Sequence, residues 1–337
     1  MTRLRRLLGA LVVLGATLAV ALALAVFLGS ARLSPLTVLQ VLGGGAGAGS
    51  TESVVILSLR LPRIAAAVLA GGALAVAGVG FQALTRNPLA EPSVLGVSSG
   101  AAFGVVIAQL LGGGGAVGDA LRVTGFGFGG ALVAGGAVYL IASVEGAFPV
   151  QTLLLAGVIV GLFFASAVTV LTSLVDINRL GGIVHWLLGN VVPLPIPSLI
   201  VFAALAALGF ALIASQAREL NVLALGEETA QQLGVNAGRL KLQVFVAAAL
   251  LTASVVAFAG PIGFVGLIVP HILRLLLGPD NRVLVPTAVV GGGIFLLVAD
   301  TLARNVVAPA ELSVGVITSF FGAPFFVYLL RTRRSVL

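Results

Sequence analysis

The chain has 337 residues, of which 59% are hydrophobic and only 9% charged, with a formal net charge of +7. A soluble domain carries about 25% charged residues; a water-soluble globule of this size would lack polar surface to cover itself, so the class is polytopic membrane protein. The absence of cysteine excludes disulfides, zinc–thiolate sites and iron–sulfur clusters, and the cations sit near the ends of apolar runs, as membrane topology rather than nucleic-acid binding requires.

Taken in order, the apolar runs predict ten helical spans: 7–28, 61–84, 93–111, 124–144, 151–173, 197–215, 240–258, 263–277, 284–303 and about 316–330. The first follows the basic start Thr2-Arg3-Leu4-Arg5-Arg6 and is longer than the apolar region of a cleaved signal, so it reads as an uncleaved span. The eighth and tenth are short and interrupted by Gly and Pro. An even number of spans puts both ends on one side. With the N-terminus inside, twelve cations are cytoplasmic: Arg3, Arg5, Arg6, Arg86, Arg218, Arg239, Lys241, Arg274, Arg282, Arg331, Arg333 and Arg334. Six are external: Arg32, Arg60, Arg63, Arg122, Arg179 and Arg304. The asymmetry supports an N-in, C-in arrangement. The fold class expected is therefore an all-α polytopic membrane protein of about ten transmembrane helices.

Between the second and third spans lies "RNPLAEPSVLGVSSGAAFG" (86–104), which contains a literal G-x-S-x-G from Gly96 to Gly100. A nucleophile elbow needs a strand, a turn and a helix, with a histidine and an acid nearby. Here the flanks are helical spans, and His185 and His271 are the only histidines. Asn87-Pro88 and Glu91-Pro92 are turn and helix-start signals, each proline suited to a first helical turn. The segment reads as a re-entry turn followed by a small-residue helix face. Gly125-x-x-x-Gly129 and Gly157-x-x-x-Gly161 likewise allow close helix approach. Gly43–Gly49 and Gly112–Gly115 read as outer loops.

The polar stretch 216–238 lies inside by this topology. Gly226-Glu227-Glu228-Thr229 is a helix start with acids in the first turn, where the helix dipole favours them, and Gly234 ends that short helix. His185-Trp186 belongs to a short outer helix, with His185 at a surface or interface; His271 reads as structural. Asp300 and Arg304 stand four apart and can pair. Lys241 is the only lysine, and no G-x-x-x-x-G-K-[ST] phosphate loop exists, so ATP, if it drives anything here, is held by another chain.

Four long blocks carry a resemblance: 59–104, "LALGEETAQQLGVN" (223–236), "AGPIGFVGLIVPHILRLLLGPDNRVLVP" (259–286) and "ADTLARNVVAPAELSVGVITSFFGAPFFVYLL" (299–330). Together they resemble the permease subunits of the FecCD-type ATP-binding-cassette (ABC) importers for iron–siderophore, haem or cobalamin. The resemblance implies one transmembrane permease domain over 1–337, with 216–238 as its cytoplasmic coupling segment. It implies a homodimer in the inner membrane, two cytoplasmic ATPase subunits, an external substrate-binding protein and a metal-chelate substrate, with no nucleic acid, no resident cofactor and no bond chemistry in this chain. Leu225, Gly226, Glu227, Glu228 and Gly234 then belong to the ATPase-coupling segment. Arg60, Arg63 and Arg304 would meet acidic residues of the binding protein, a pairing that suits planar cations. Val150 and Gln151, after Pro149, form the inner gate, and the span containing Gly157 and Gly161 lines the pore. Two alternatives stay open: an ion-gradient-driven secondary transporter, disfavoured because no Asp or Glu lies near the middle of a span, and an intramembrane serine hydrolase.

Overall fold

The structure is a computed structural model and describes residues 3–29, 31, 33–45, 49–112, 116–143, 148–308 and 310–332. Arg32, Arg333 and Arg334, residues 46–48 and 113–115 of the two glycine runs, and the side chain of Arg179 lie outside what is described. The described residues form helices and no strand. In chain order these are α1 (Arg3–Phe27), α2 (Pro35–Leu42), α3 (Thr51–Ser53), a π turn (Val54–Arg60) running straight into α4 (Leu61–Thr85), a 3₁₀ turn (Pro92–Leu95), α5 (Val97–Leu111), α6 (Ala116–Ala142) and α7 (Val150–Ser173). The order continues with α8 (Ile177–Leu187), α9 (Ile196–Ser215), α10 (Ala217–Leu223), α11 (Glu227–Gln232), α12 (Ala237–Ala259), α13 (Val265–Leu277), α14 (Asn281–Asn305) and α15 (Val314–Thr332).

Among the described residues, seven helices are long and apolar enough to cross a membrane, and three shorter apolar ones accompany them: Val97–Leu111, Val265–Leu277 and Val314–Tyr328. Each predicted span finds its helix. The second differs most: the helix starts at Thr51, ten residues before the predicted boundary, because Ser50 caps it by accepting from Ser53 N and residues 51–60, a mixture of apolar and polar side chains, add a short α turn and a π turn ahead of α4. The third begins at Val97 rather than 93, since Pro92 opens a separate 3₁₀ turn.

The bundle is organised around α4. Its sequence is apolar around the whole circumference, so it is buried on nearly every side, as such a helix must be. It packs on α14, α12, α13 and α9. Glycine sets how closely. A Cβ on Gly71 would lie 2.1 Å from the Gly292 carbonyl oxygen, and one on Gly78 would lie 1.9 Å from that of Gly266, so α4 touches α14 and α13 backbone to backbone. α1, α7 and α9 stand at the periphery, with a third or less of their apolar windows buried.

Two irregular segments enter the bundle and meet there. After α4 stops at Arg86 in a left-handed conformation, residues 87–96 turn back inward. Gly96 has φ 74°, and a Cβ on it would lie 2.9 Å from the carbonyl of Gly157, which is seven residues, or about 10 Å at 1.5 Å each, into α7. From the other side, Gly260–Phe264 leads into the short α13. Phe264 is a non-glycine residue with φ 68°, and its backbone N–H donates to the Glu91 carboxylate. One acid thus satisfies a partly buried backbone donor at the point where the helix is interrupted.

Candidate functional site

The first candidate region is the polar stretch between α9 and α12. Leu220, Leu223 and Ala230 are buried and seat α10 and α11 on the bundle, while Leu225, Glu228 and Leu233 are exposed. Gly226 (φ 113°) precedes α11 and Gly234 (φ 83°) follows it; both need left-handed backbone that a side chain disfavours. Asn221 fixes the stretch to α14: its Nδ2 donates to Asp280 Oδ1 at 2.7 Å, and its Oδ1 accepts from Asn281 N at 2.8 Å. Asp280 also caps α14 by accepting from Arg282 N. Burial opposes ionisation of Asp280, but the hydrogen bonds from Arg282 and Asn221 outweigh it and hold the carboxyl below its usual range.

Glu227 is half-exposed and gathers two cations: Lys241 Nζ at 2.6 Å and Arg86 Nη2 at 3.5 Å. Lys241, counted in the sequence as one more cation beside the membrane, is buried. Its Nζ also donates to the Phe148 carbonyl at 3.3 Å. Phe148 is buried, with its ring centroid 5.7 Å from Phe245 and 6.1 Å from Tyr139. Directly after it come Pro149 and the predicted gate residues Val150, half-buried, and Gln151, exposed. Along α7, Leu153, Ala156, Gly157, Val160, Phe164 and Val168 are buried, while Leu155, Ile159, Leu162 and Phe163 are open. Gly157 and Gly161 sit on the buried face against Val94–Gly96.

The predicted docking arginines occupy the opposite end. Arg63 Nη2 lies 3.0 Å from Asp300 Oδ1, and Arg63 Nη1 lies 2.7 Å from Glu311 Oε2. Arg304 Nε lies 3.0 Å from Asp300 Oδ2, an ion pair set by proximity rather than by an aligned hydrogen bond. Arg60 and Arg63 do not share a target: Arg60 donates to the carbonyls of Val26, at 2.7 Å, and Ala31, because the π turn ends there and directs it toward the C-terminal end of α1. The Asp300–Arg304 pair expected from the i,i+4 spacing forms, and it is internal, with side chains 0% and 4% exposed. Glu311 had no signal in the sequence beyond being an acid after the ninth span.

The other sequence candidates separate from any chemistry. Ser98 and Ser99 line a small cavity with Ala102, Ala165, Val168, Leu187 and Pro261, which includes neither a histidine nor an acid. The G-x-S-x-G is a helix-entry turn, its first glycine required by positive φ and by contact with α7. Exposed His185 pairs with Asn190 at 2.7 Å; His271 is buried edge-on to Phe325. A Cβ on Gly125 or Gly129 would meet no atom within 4 Å, so that motif forms no helix contact in the chain. The close crossing of α5 and α6 uses Gly100 against Gly130 and Gly104 against Phe126 instead. Among the described residues, no group of acids and histidines could hold a metal ion.

A family model described as the FecCD transport family matches residues 16–332. The chain is 42% identical over 300 residues to the cobalamin import system permease protein BtuC of Halobacterium salinarum, covering 85% of this chain and 76% of that protein. It is 41% identical over 281 residues to the hemin transport system permease protein HmuU of Yersinia pestis, covering 83% and 84%. A solved structure described as a metal-chelate type ABC transporter in an inward-facing conformation matches with a TM-score of 0.80 at 31% identity, over 98% of this chain and 99% of the other.

Proposed function

Because the chain belongs to the FecCD transport family, as a permease of the metal-chelate class of ABC importers, we propose that it carries a ferric siderophore, haem or cobalamin across the inner membrane, as one half of a homodimer. The observation that carries this reading is likeness over the whole length: the family match runs from 16 to 332 and the structural match leaves 2% of the chain uncovered. Separate ATPase subunits supply the energy, consistent with a chain that has no phosphate loop and a single lysine already occupied by Glu227 and Phe148.

In this reading, the chain is one permease unit with both termini cytoplasmic, and 216–238 is its coupling segment. Leu225, Gly226, Glu227, Glu228 and Gly234 present the ATPase with exposed apolar and acidic groups on a short helix framed by two glycine turns. The open face of α7, beginning at Val150 and Gln151, lines the pathway between two copies. It carries no charge, which lets a bulky solute pass without a strong resting site. Binding protein docks at the Arg60–Arg63–Arg304 end. Since these guanidinium groups are occupied by Asp300, Glu311 and backbone carbonyls, docking there exchanges internal partners for external carboxylates. Movement follows from the ATPase binding one permease state better than another.

The test is uptake into liposomes that contain this chain with an ATPase subunit from the same source, a binding protein from that source outside and ATP inside. Cobalamin, haemin and ferric citrate are offered in turn. At least one should accumulate, and only with both partners and ATP present. Accumulation by the chain alone under an ion gradient would instead establish a secondary transporter.

A further inference from the structure

We propose that Lys241 is a positioning residue that ties the coupling segment to the inner gate, an inference that rests on the permease reading above. Lys241 is the only lysine in the chain; the other seventeen of eighteen cations are arginine. It stands in the first turns of α12 and is 4% exposed. A buried ammonium is costly unless paired and hydrogen-bonded, and here its partners come from two separate places: Glu227 Oε1, at the first residue of α11, and the Phe148 carbonyl, at the entrance to α7. An ammonium is a compact charge with three donors, able to serve two acceptors that do not share a plane, as a guanidinium fork does less readily.

The joint beyond Phe148 is stiff. Pro149 has φ −66°, and its carbonyl already accepts from Leu153 N at 3.0 Å as the first turn of α7 closes. Proline fixes φ and leaves little freedom to absorb a displacement. Phe148 is also held by its ring, against Phe245 one turn along α12 from Lys241. A shift of Glu227 therefore moves Lys241, and with it the Phe148 carbonyl and the start of α7, where Val150 and Gln151 stand. Arg86 gives Glu227 a second, weaker anchor at 3.5 Å, so the coupling segment keeps a hold on the bundle when Lys241 is changed.

The chain has no cysteine, so Val150→Cys carries a single spin label in each copy without background. The full complex with its ATPase is measured nucleotide-free and with ATP trapped by vanadate. In otherwise native chain the label-to-label distance changes on trapping. In K241M, ATPase association and ATP turnover stay within about twofold, while most of the distance change is lost; where transport is followed, substrate carried per ATP falls about tenfold, the order expected for a lost charge-assisted hydrogen bond. K241R, which keeps a donor cation, restores at least about half of the change. A full distance change in K241M overturns the tie, as does parallel loss of ATPase association, which would mean that Lys241 only holds the docking surface. If K241M does not assemble, E227Q breaks the tie from its exposed side and should also blunt the change; a normal change there overturns the proposal. Failure of the otherwise native chain to bind the ATPase refutes the permease reading instead.

Discussion

Asp300 shows how much one side chain can hold. It is fully buried between Arg63 and Arg304, and Arg63 reaches on to Glu311 beyond α14. The three arginines of this end face two carboxylates, and each cation has at least one internal partner. Removing the shared acid would leave two guanidinium groups facing each other out of water. Asp300→Ala should therefore cost about 3–5 kcal/mol, the range for breaking a buried pair, seen as a large drop in the unfolding midpoint of the detergent-purified protein. A loss below about 1 kcal/mol, as for an exposed pair, would show that water enters the cluster. The sequence revealed the Asp300–Arg304 spacing, because i,i+4 neighbours are fixed by helix geometry. It could not reveal Arg63, which is 237 positions from Asp300.

At the scale of the elements, helix positions follow from apolar length, and each predicted span has its helix. Helix approach does not follow so simply. Two G-x-x-x-G motifs looked equivalent in the sequence, yet Gly157 packs against Val94–Gly96 while Gly125 faces open space. Close backbone crossings use glycines outside both motifs, among them Gly71–Gly292 and Gly78–Gly266. Gly78→Ala places a methyl group where only a backbone oxygen fits, so α4 and α13 must part. A destabilisation of about 1–3 kcal/mol is expected, as for overpacked cores. Gly125→Ala should stay within about 0.5 kcal/mol, as at an unconstrained surface position. Comparing thermal unfolding of the two variants tests the crossing, and equal effects would refute it. The role of G-x-S-x-G was legible only in part: the sequence pointed to a re-entry turn, but contact with α7 and the Glu91–Phe264 bond depend on loops far apart in the chain.

Across the whole molecule, two sets of polar groups stand at the two ends of α4. Arg6 donates to Leu277 O, Arg274 to Gln82, and Arg86 and Lys241 converge on Glu227. Arg60, Arg63 and Arg304 form the other set, with Asp300 and Glu311. This division matches the two sides of the positive-inside tally. With no native cysteine to interfere, Thr229→Cys in α11 should react with a membrane-impermeant maleimide only after the inner face of intact cells or spheroplasts is opened. Ala310→Cys should react from outside. The reverse pattern would invert the proposed orientation.

By itself the sequence determined the membrane class, the position of each apolar helix and the glycine turns that frame α11. Apolar run length and glycine turns are local properties, read along one dimension. Only the tertiary structure decided that Arg63 turns inward to Asp300 and that Lys241 spans Glu227 and Phe148. Partners drawn from distant stretches become neighbours only when close helix packing removes water and leaves each buried charge the groups that the fold brings beside it.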